Sequence, residues 1–265
     1  MKTLTLTKQS SGLYTVISSE THNDVAVTFN DIITPPIPVN KWKMETRFDL
    51  IPLGFQAQEL NGITEAFRNT IIFESPDTLG EKCARMAIAK GSTGFGSWGG
   101  ITKHKDKLYE GDEVELDITT WFPGEFEPEA NPRLKFLRVH TRSDVNSNEG
   151  YLDLYILPNK YNYRFSHDNE VTGFSSINNN GTPFGLPLRA NKWEQYSVYI
   201  KLHSDPLIGQ YKVYQNGSLI YQRTGKTLLT PTSYADYSYI FTYWNEGSPK
   251  NQHMFVKKFS VTALA

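Results

Sequence analysis

Residues 209–225 read GQYKVYQNGSLIYQRTG, and this stretch predicts a β-hairpin. Asn216-Gly217 stands between two runs in which apolar and polar residues alternate. A two-residue hairpin turn needs positive φ at its central positions, which asparagine and glycine adopt at low cost. The segment therefore indicates two antiparallel strands joined by a tight turn.

The same kind of pattern continues along the chain on both sides of this hairpin. Short alternating segments recur between turn signals, helical periodicity is nearly absent, and the chain is 13% aromatic with 19 glycines and 14 prolines. These features predict an all-β sandwich of two facing antiparallel sheets, with six or seven strands each. No internal repeat or linker divides the 265 residues, so we expect a single domain over residues 1–265.

Charge and cysteine content exclude several classes of protein. Lysine plus arginine number 27 against 28 aspartates plus glutamates, so no global field favours nucleic acid or anionic lipid. The single cysteine, Cys83, cannot form an internal disulfide and is expected to be a small buried residue. We expect no partner among nucleic acids or membranes, and the oligomeric state stays open.

The N-terminal region lacks the apolar core of a secretory signal, and no window is long and apolar enough for a membrane span. The sequence thus predicts a soluble protein. It leaves open a cytoplasmic location, a place in a particle, or secretion with the leader removed.

Residues 134–141, LKFLRVHT, carry the first candidate chemistry. Side chains of a strand alternate between faces, so Leu137 and Val139 would point one way and Arg138 and His140 the other. One face suits a core, and the other carries a cation and an imidazole.

The segment YLDLYIL, residues 151–157, gives a second alternating pattern. Leu152, Leu154 and Ile156 form its apolar row, which leaves Tyr151, Asp153 and Tyr155 on the opposite face. If this strand neighbours residues 134–141, its polar row would share one concave surface with Arg138 and His140.

Other strand-like segments add polar side chains by the same argument. YSVYIKLH exposes Tyr199, Lys201 and His203, while CARMAIAK contributes Arg85 and KYNYRF contributes Tyr163 or Arg164. The candidate substrate-binding residues are therefore Arg85, Asp153, Tyr163, Arg164, Tyr199, Lys201 and His203. A polar row on one face of an antiparallel sheet is also typical of a merely solvated surface.

Several segments, in order, resemble the concanavalin A-like jelly-roll polysaccharide lyases, the group of heparin lyase I-like and alginate lyase-like enzymes. They are LYEGDEVELDITTWFPGEF at 108–126, LKFLRVHT at 134–141, the Trp193 strand with the Asn216-Gly217 hairpin, and YIFTYWNEGSPKNQHMFVKKFSVT at 239–262. The resemblance implies a jelly-roll β-sandwich and β-elimination of a uronic-acid-containing polysaccharide. Where the family has Gln-x-His, this chain has Arg138-Val139-His140, and Tyr243 is a displaced counterpart of the family's tyrosine.

Such a reaction needs a group that neutralises the sugar carboxylate, a base and an acid. Arg138 suits the carboxylate, because guanidinium binds carboxylate through two parallel hydrogen bonds. His140 would be base or neutraliser. The remaining candidate catalytic residues are the tyrosines Tyr151, Tyr155 and Tyr243, one of which would be acid or acid and base.

Other motifs give weaker signals. Glu113, Glu115 and Asp117 read as one polar strand face and not as a hydrolase pair. RSDVNSNEG lacks the glycine and the closing glutamate of a calcium loop, so we predict no metal site and no cofactor, with a structural calcium left open. His22, His104, His167 and His253 are expected at the surface. The alternatives to a lyase are a lectin-like binding domain and a structural or adhesion module of a viral or cell-surface assembly.

Overall fold

The computed structural model describes residues 5–8, 14–17, 40–50, 53, 70–93, 99–127, 134–143, 148–156, 163–168, 188–240 and 247–264. The chain divides into two compact units, Met1–Pro38 and Val39–Ala265. The first unit contains an antiparallel hairpin in which Thr5 pairs with Ile17 and Lys8 with Tyr14. The expectation of one domain over residues 1–265 stays a prediction.

The described part of the second unit consists mostly of strands. The described strands of the chain are β1 (Thr5–Lys8), β2 (Tyr14–Ile17), β3 (Asn40–Arg47), β4 (Thr70–Glu74), β5 (Lys82–Ile88), β6 (Gly100–Leu108), β7 (Glu113–Trp121), β8 (Leu134–Arg142), β9 (Asn148–Ile156), β10 (Tyr163–Asp168), β11 (Trp193–Lys201), β12 (Gln210–Gln215), β13 (Ser218–Thr224), β14 (Tyr234–Ile240) and β15 (Gln252–Leu264). A 3₁₀ turn at Phe48–Leu50 follows β3. No helix in the described part of the chain is long and apolar enough to cross a membrane.

Strands β3 to β15 form two antiparallel sheets. The five-stranded sheet has the order β10-β9-β8-β14-β6. The eight-stranded sheet has the order β13-β12-β11-β7-β15-β5-β4, and β3 also pairs with β15. The predicted antiparallel jelly-roll sandwich is confirmed, although its described sheets have five and eight strands and not six or seven each.

The core lies between the two sheets and follows the alternation of the strands. In β7 every second residue is buried, with Val114, Leu116 and Ile118 inside and the intervening carboxylates outside. Leu137 and Val139 of β8 belong to the same apolar cluster. Because side chains alternate, each sheet also has an outer face, which is the face turned away from this core.

The hairpin predicted at residues 209–225 is present as β12 and β13. Asn216 has φ 49° and Gly217 has φ 76°, the positive values that the tight turn requires. The side-chain oxygen of Asn216 also accepts a hydrogen bond from the Gln195 amide at 2.9 Å, which ties the turn to β11.

The structure corrects the expectation for His104 and confirms the expectation for Cys83. His104 was expected at the surface, but it is buried in β6, where Nε2 lies 2.7 Å from the Ser238 hydroxyl and the ring packs on Trp42. Cys83 is fully buried, as expected, and burial raises the pKa of its thiol to about 12.

Candidate functional site

Strand β8 divides its side chains between the core and the outer face of the five-stranded sheet. Leu137 and Val139 are in the core, and Arg138 and His140 are on the outer face. The pairing of β8 with β9 shifts by one residue at Phe136, a β-bulge that lets Phe136 and Leu137 both reach the core. The bulge therefore determines which residues of β8 face outward.

Strand β9 places its polar row directly beside that of β8. Arg138 pairs in register with Asp153, and His140 with Tyr151. The Arg138 guanidinium donates from Nε to Asp153 Oδ1 at 2.7 Å and from Nη2 to Oδ2 at 3.1 Å. The hydroxyl of Tyr155 donates to the same Oδ2 at 2.6 Å. Asp153 thus holds two of the residues that the sequence singled out.

This ion pair is buried on both sides. Arg138 is 4% exposed, and Asp153 is fully buried. Burial acts to lower the pKa of Arg138, but the charge of Asp153, the phenols of Tyr155 and Tyr151 and the hydrogen bond to Asp153 together raise the pKa overall. The guanidinium therefore stays charged at the centre of the face.

His140 is enclosed by aromatic rings. It stacks on Tyr151 with ring centroids 4.9 Å apart, and the rings of Tyr237 and Tyr239 each lie 6.3 Å away. The side chain is 2% exposed, and neither ring nitrogen has a hydrogen-bond partner among the described residues. A buried imidazole without partners is costly in a purely structural role, because its polar atoms have lost water without replacement.

Asp236 lies next to His140 at a second bulge, where the pairing of β14 with β8 shifts. Its Oδ1 is 3.5 Å from Nδ1 of His140, and its Oδ2 forms an ion pair with Arg142, 2.7 Å from Nε. Asp236 Oδ1 is itself buried without a hydrogen-bond partner in the described part of the chain. A small movement of either side chain would join it to the imidazole.

Tyr239 sits beside both Arg138 and His140. The Arg138 guanidinium carbon lies 3.6 Å from the centroid of the Tyr151 ring and 5.8 Å from that of Tyr239. Burial raises the pKa of the Tyr239 phenol, and the Tyr151 phenol adds to the effect, while the charge of Arg138 partly opposes it. The Tyr239 hydroxyl therefore stays protonated at neutral pH.

We call this set of residues the polar cluster. Its members are Arg138, His140, Tyr151, Asp153, Tyr155, Asp236, Tyr237 and Tyr239. Sequence analysis did not assign a role to the three from β14. Tyr237 and Tyr239 alternate in YADYSYI, so their common face could have been inferred, but their position beside β8 depends on a pairing between distant strands.

The structure does not bring four of the predicted binding residues to this cluster. Arg85 lies in β5 and Tyr199 and Lys201 lie in β11, both strands of the eight-stranded sheet, and His203 follows the end of β11. Alternation gave the correct face of each strand but not the sheet to which the strand belongs.

Those residues have their own neighbours. Lys201 Nζ lies 3.4 Å from Glu113 Oε1, and His203 Nε2 lies 3.4 Å from Glu110 Oε1. Burial raises the pKa of Tyr199, and a hydrogen bond with Glu113 adds to the increase. They form part of a charged sheet surface away from the polar cluster.

Three predicted residues remain, Tyr163, Arg164 and Tyr243. Strand β10 pairs with β9 so that Tyr163 is opposite Ile156 and Arg164 opposite Tyr155, but their side chains lie outside the described residues. Tyr243 also lies outside them. Among the described residues, no group of three or more histidine, cysteine, aspartate or glutamate side chains is placed to hold a metal ion.

Comparisons with known proteins give similarity in structure alone. No protein-family model matches the chain, and no curated protein matches it in sequence. The solved structure of alginate lyase Aly36B has a TM-score of 0.59 at 14% identity, covering 83% of this chain and 96% of that one. The endo-β-1,4-glucuronan lyase of the fungus Trichoderma reesei has a TM-score of 0.57 at 13% identity, covering 84% and 95%. These similarities support the jelly-roll fold expected of a polysaccharide lyase.

Proposed function

We propose that this protein binds a uronic-acid-containing polysaccharide at the polar cluster and cleaves it by β-elimination. The fold is similar to that of an alginate lyase and a glucuronan lyase. Fold alone does not define function, so the proposal depends on the cluster itself.

The observation that carries the proposal is the environment of His140. Its two ring nitrogens have no hydrogen-bond partner in the described part of the chain, and aromatic rings surround it. A neutral imidazole in this state can accept a proton from carbon without first breaking another hydrogen bond. We therefore assign His140 as the base.

The proposed step conserves atoms and charge. His140 takes the proton from the sugar carbon that bears the carboxylate, and the electrons of that bond form a double bond to the adjacent carbon. The bond from that adjacent carbon to the glycosidic oxygen breaks, and the Tyr239 hydroxyl gives its proton to the leaving oxygen. Tyr239 enters the reaction protonated, as an acid must, and its raised pKa makes it a weaker acid than an exposed tyrosine.

The Arg138 guanidinium, the one permanent cation of the polar cluster, is the group available to stabilise the negative charge that moves into the sugar carboxylate. Arg138 already donates two hydrogen bonds to Asp153. We therefore assign it to positioning Tyr151 and to supplying charge, and not to binding the substrate carboxylate through two hydrogen bonds. Asp236, 3.5 Å from His140 Nδ1, would stabilise the imidazolium. These roles need side chains alone, so the proposal includes no cofactor, and activity retained in a chelator would agree with it.

The test is the ultraviolet absorbance of the unsaturated sugar formed by elimination, measured on alginate, glucuronan, heparinoid and pectic substrates. The native chain should give a signal on at least one acidic polymer. His140→Asn and Tyr239→Phe should each lower the rate by about 10²- to 10⁴-fold, the usual contribution of a general acid or base.

Tyr199→Phe is the matched control for Tyr239→Phe. Tyr199 is also a partly buried tyrosine with a raised pKa, but it lies in the other sheet. Its variant should retain the native rate. Equal loss in both variants would contradict the assignment of Tyr239.

A non-catalytic carbohydrate-binding domain is the second candidate, and the burial of the cluster favours it. Arg138 and His140 are 4% and 2% exposed, which limits their contact with the reacting atoms of a polymer, whereas binding can use the more exposed rings of Tyr151, Tyr237 and Tyr239. Retardation in a gel containing polysaccharide, without any absorbance change, would support this candidate. The absence of both an absorbance change and retardation would support a structural or adhesion module.

A further inference from the structure

A row of large side chains crosses five strands on the outer face of the eight-stranded sheet. Strand register aligns Ile71 with Arg85, Arg85 with Phe255, Phe255 with Trp121, and Trp121 with Trp193. Adjacent strands are about 4.8 Å apart, so the row extends about 19 Å across the sheet.

Every member of this row points away from the sandwich core. Met254 and Val256 beside Phe255, and Ala84 and Met86 beside Arg85, are core residues, so alternation turns the row outward. Phe255 is buried at the middle of the row, whereas Ile71 is 44% exposed at its end. Phe73, next to Ile71 on the outer face, is 52% exposed. Trp121 and Trp193 are partly exposed and meet edge to face, with ring centroids 5.7 Å apart.

Arg85 brings a cation into the row without a carboxylate partner. Its Nη2 lies 3.4 Å from Nδ1 of His253, and its guanidinium carbon lies 5.9 Å from the Phe73 ring centroid. No carboxylate within the described ranges forms an ion pair with it. Burial lowers the pKa of His253, and the charge of Arg85 adds to this, while Glu125 opposes it. The pair thus carries one net positive charge between aromatic rings.

The row is narrow. On one side it is bordered by side chains already engaged in ion pairs: Lys257 with Glu81 at 2.6 Å and Lys258 with Glu45 at 3.1 Å. Lys257 also lies over the Trp193 ring, 4.5 Å from its centroid. A folded protein partner needs a broad patch, usually about 800 Å² per side, whereas an elongated strip suits a linear polymer.

We propose that this row, from Ile71 to Trp193 with Phe73 and His253, is a second binding surface for an acidic polysaccharide chain. Aromatic rings stack on the C–H faces of sugars, and the planar guanidinium of Arg85 binds a sugar carboxylate through two parallel hydrogen bonds. The surface is in the sheet opposite the polar cluster and is independent of catalysis there. It would hold polymer to the protein while another part of the chain is processed.

The experiment is affinity electrophoresis of the full chain in gels containing alginate or glucuronan, with a neutral polysaccharide as a parallel gel. Trp121→Ala and Arg85→Gln should each weaken retardation by the acidic polymers about tenfold, the effect of losing one well-placed anchor. Phe73→Ser should also weaken retardation. Because the Phe73 side chain is exposed, this substitution should leave folding intact. Rates on short oligosaccharides should be unchanged in all three.

Matched controls on the same outer face are Tyr214→Ala and Lys212→Gln, in β12 away from the row. They remove an aromatic ring and a positive charge, and should bind as the native chain does. Native retardation in Trp121→Ala, Arg85→Gln and Phe73→Ser would overturn the proposal. Equal retardation by neutral and acidic polymers would also overturn the proposal, as would a concentration-dependent dimer of the native chain that these variants abolish. Loss of retardation in the row variants, in a protein without any elimination activity, would support this surface while refuting the proposed catalysis.

Discussion

At the scale of single residues, Asp153 organises the polar cluster. One carboxylate accepts two hydrogen bonds from Arg138 and one from Tyr155, and all three side chains are buried. Taking such charges out of water is costly, and mutual hydrogen bonding offsets that cost only while both partners remain. Sequence alternation could place Arg138, Asp153 and Tyr155 on outer faces, but could not show that the arginine already has a carboxylate partner.

Asp153→Asn should lower the free energy of unfolding by about 3–5 kcal/mol, because it leaves the Arg138 cation buried without its counter-charge. Unfolding in urea, followed by fluorescence, measures the change. The double variant Arg138→Met with Asp153→Leu should recover most of the loss, because neither charge remains. A native midpoint for Asp153→Asn would contradict the importance of the pair.

Cys83 should be unreactive in the native protein. It is fully buried, and burial raises the pKa of its thiol to about 12, so almost no thiolate forms at neutral pH. A chromogenic disulfide reagent should modify it only after denaturant is added. Fast labelling of the folded chain would show that β5 opens far more readily than its packing indicates.

At the scale of elements, local patterns carried the sequence-based prediction and distant pairings limited it. The Asn216-Gly217 turn and the alternation of β7, β8 and β9 are local, and all were predicted. Strand β6, GITKHKDKL, was not, because its lysines, histidine and aspartate are poor strand formers. The bulges at Phe136 and Asp236 leave no local signal, yet they set the outward faces of β8 and β14.

His104 in β6 should make stability depend on pH. Burial lowers its pKa from 6.5 to about 4, so between these values the unfolded chain binds the proton and the folded chain does not. Stability should therefore fall as pH drops from about 6.5 to 4, by about 3 kcal/mol from this group, and this contribution should not change further below 4. Denaturant unfolding at several pH values tests this. His104→Gln should flatten the dependence.

Gly217→Ala should destabilise the β12–β13 hairpin, since a side chain is strained at φ 76°. We expect a loss of about 1 kcal/mol in the free energy of unfolding. Ser218→Ala, at the adjacent exposed position, is the control and should have little effect. Thermal denaturation of the two variants separates backbone strain from simple loss of a side chain.

At the scale of the whole molecule, the two sheets give the protein two outer faces with different chemistry. The polar cluster lies on the five-stranded sheet, and the aromatic row lies on the eight-stranded sheet. Sequence analysis combined Arg85, Tyr199, Lys201 and His203 with the first face, because strand order depends on contacts between residues far apart in the chain. The sandwich architecture itself was predicted correctly.

Residues 39–265 should fold without residues 1–38. The described apolar core runs from Trp42 to Ala263, and residues 1–38 form a compact unit of their own. The fragment should show one cooperative thermal transition close to that of the full chain. A fragment that lacks a cooperative transition would instead support one domain over residues 1–265.

Strand β15 pairs with β3, β5 and β7, so residues 252–264 join three otherwise separate pieces of the larger sheet. During translation these pieces emerge from the ribosome long before the segment that unites them. Their open edges are exposed to chaperones and to neighbouring nascent chains until that segment arrives. Synthesis that stalls before residue 252 therefore yields an aggregation-prone product and not a partly working sandwich.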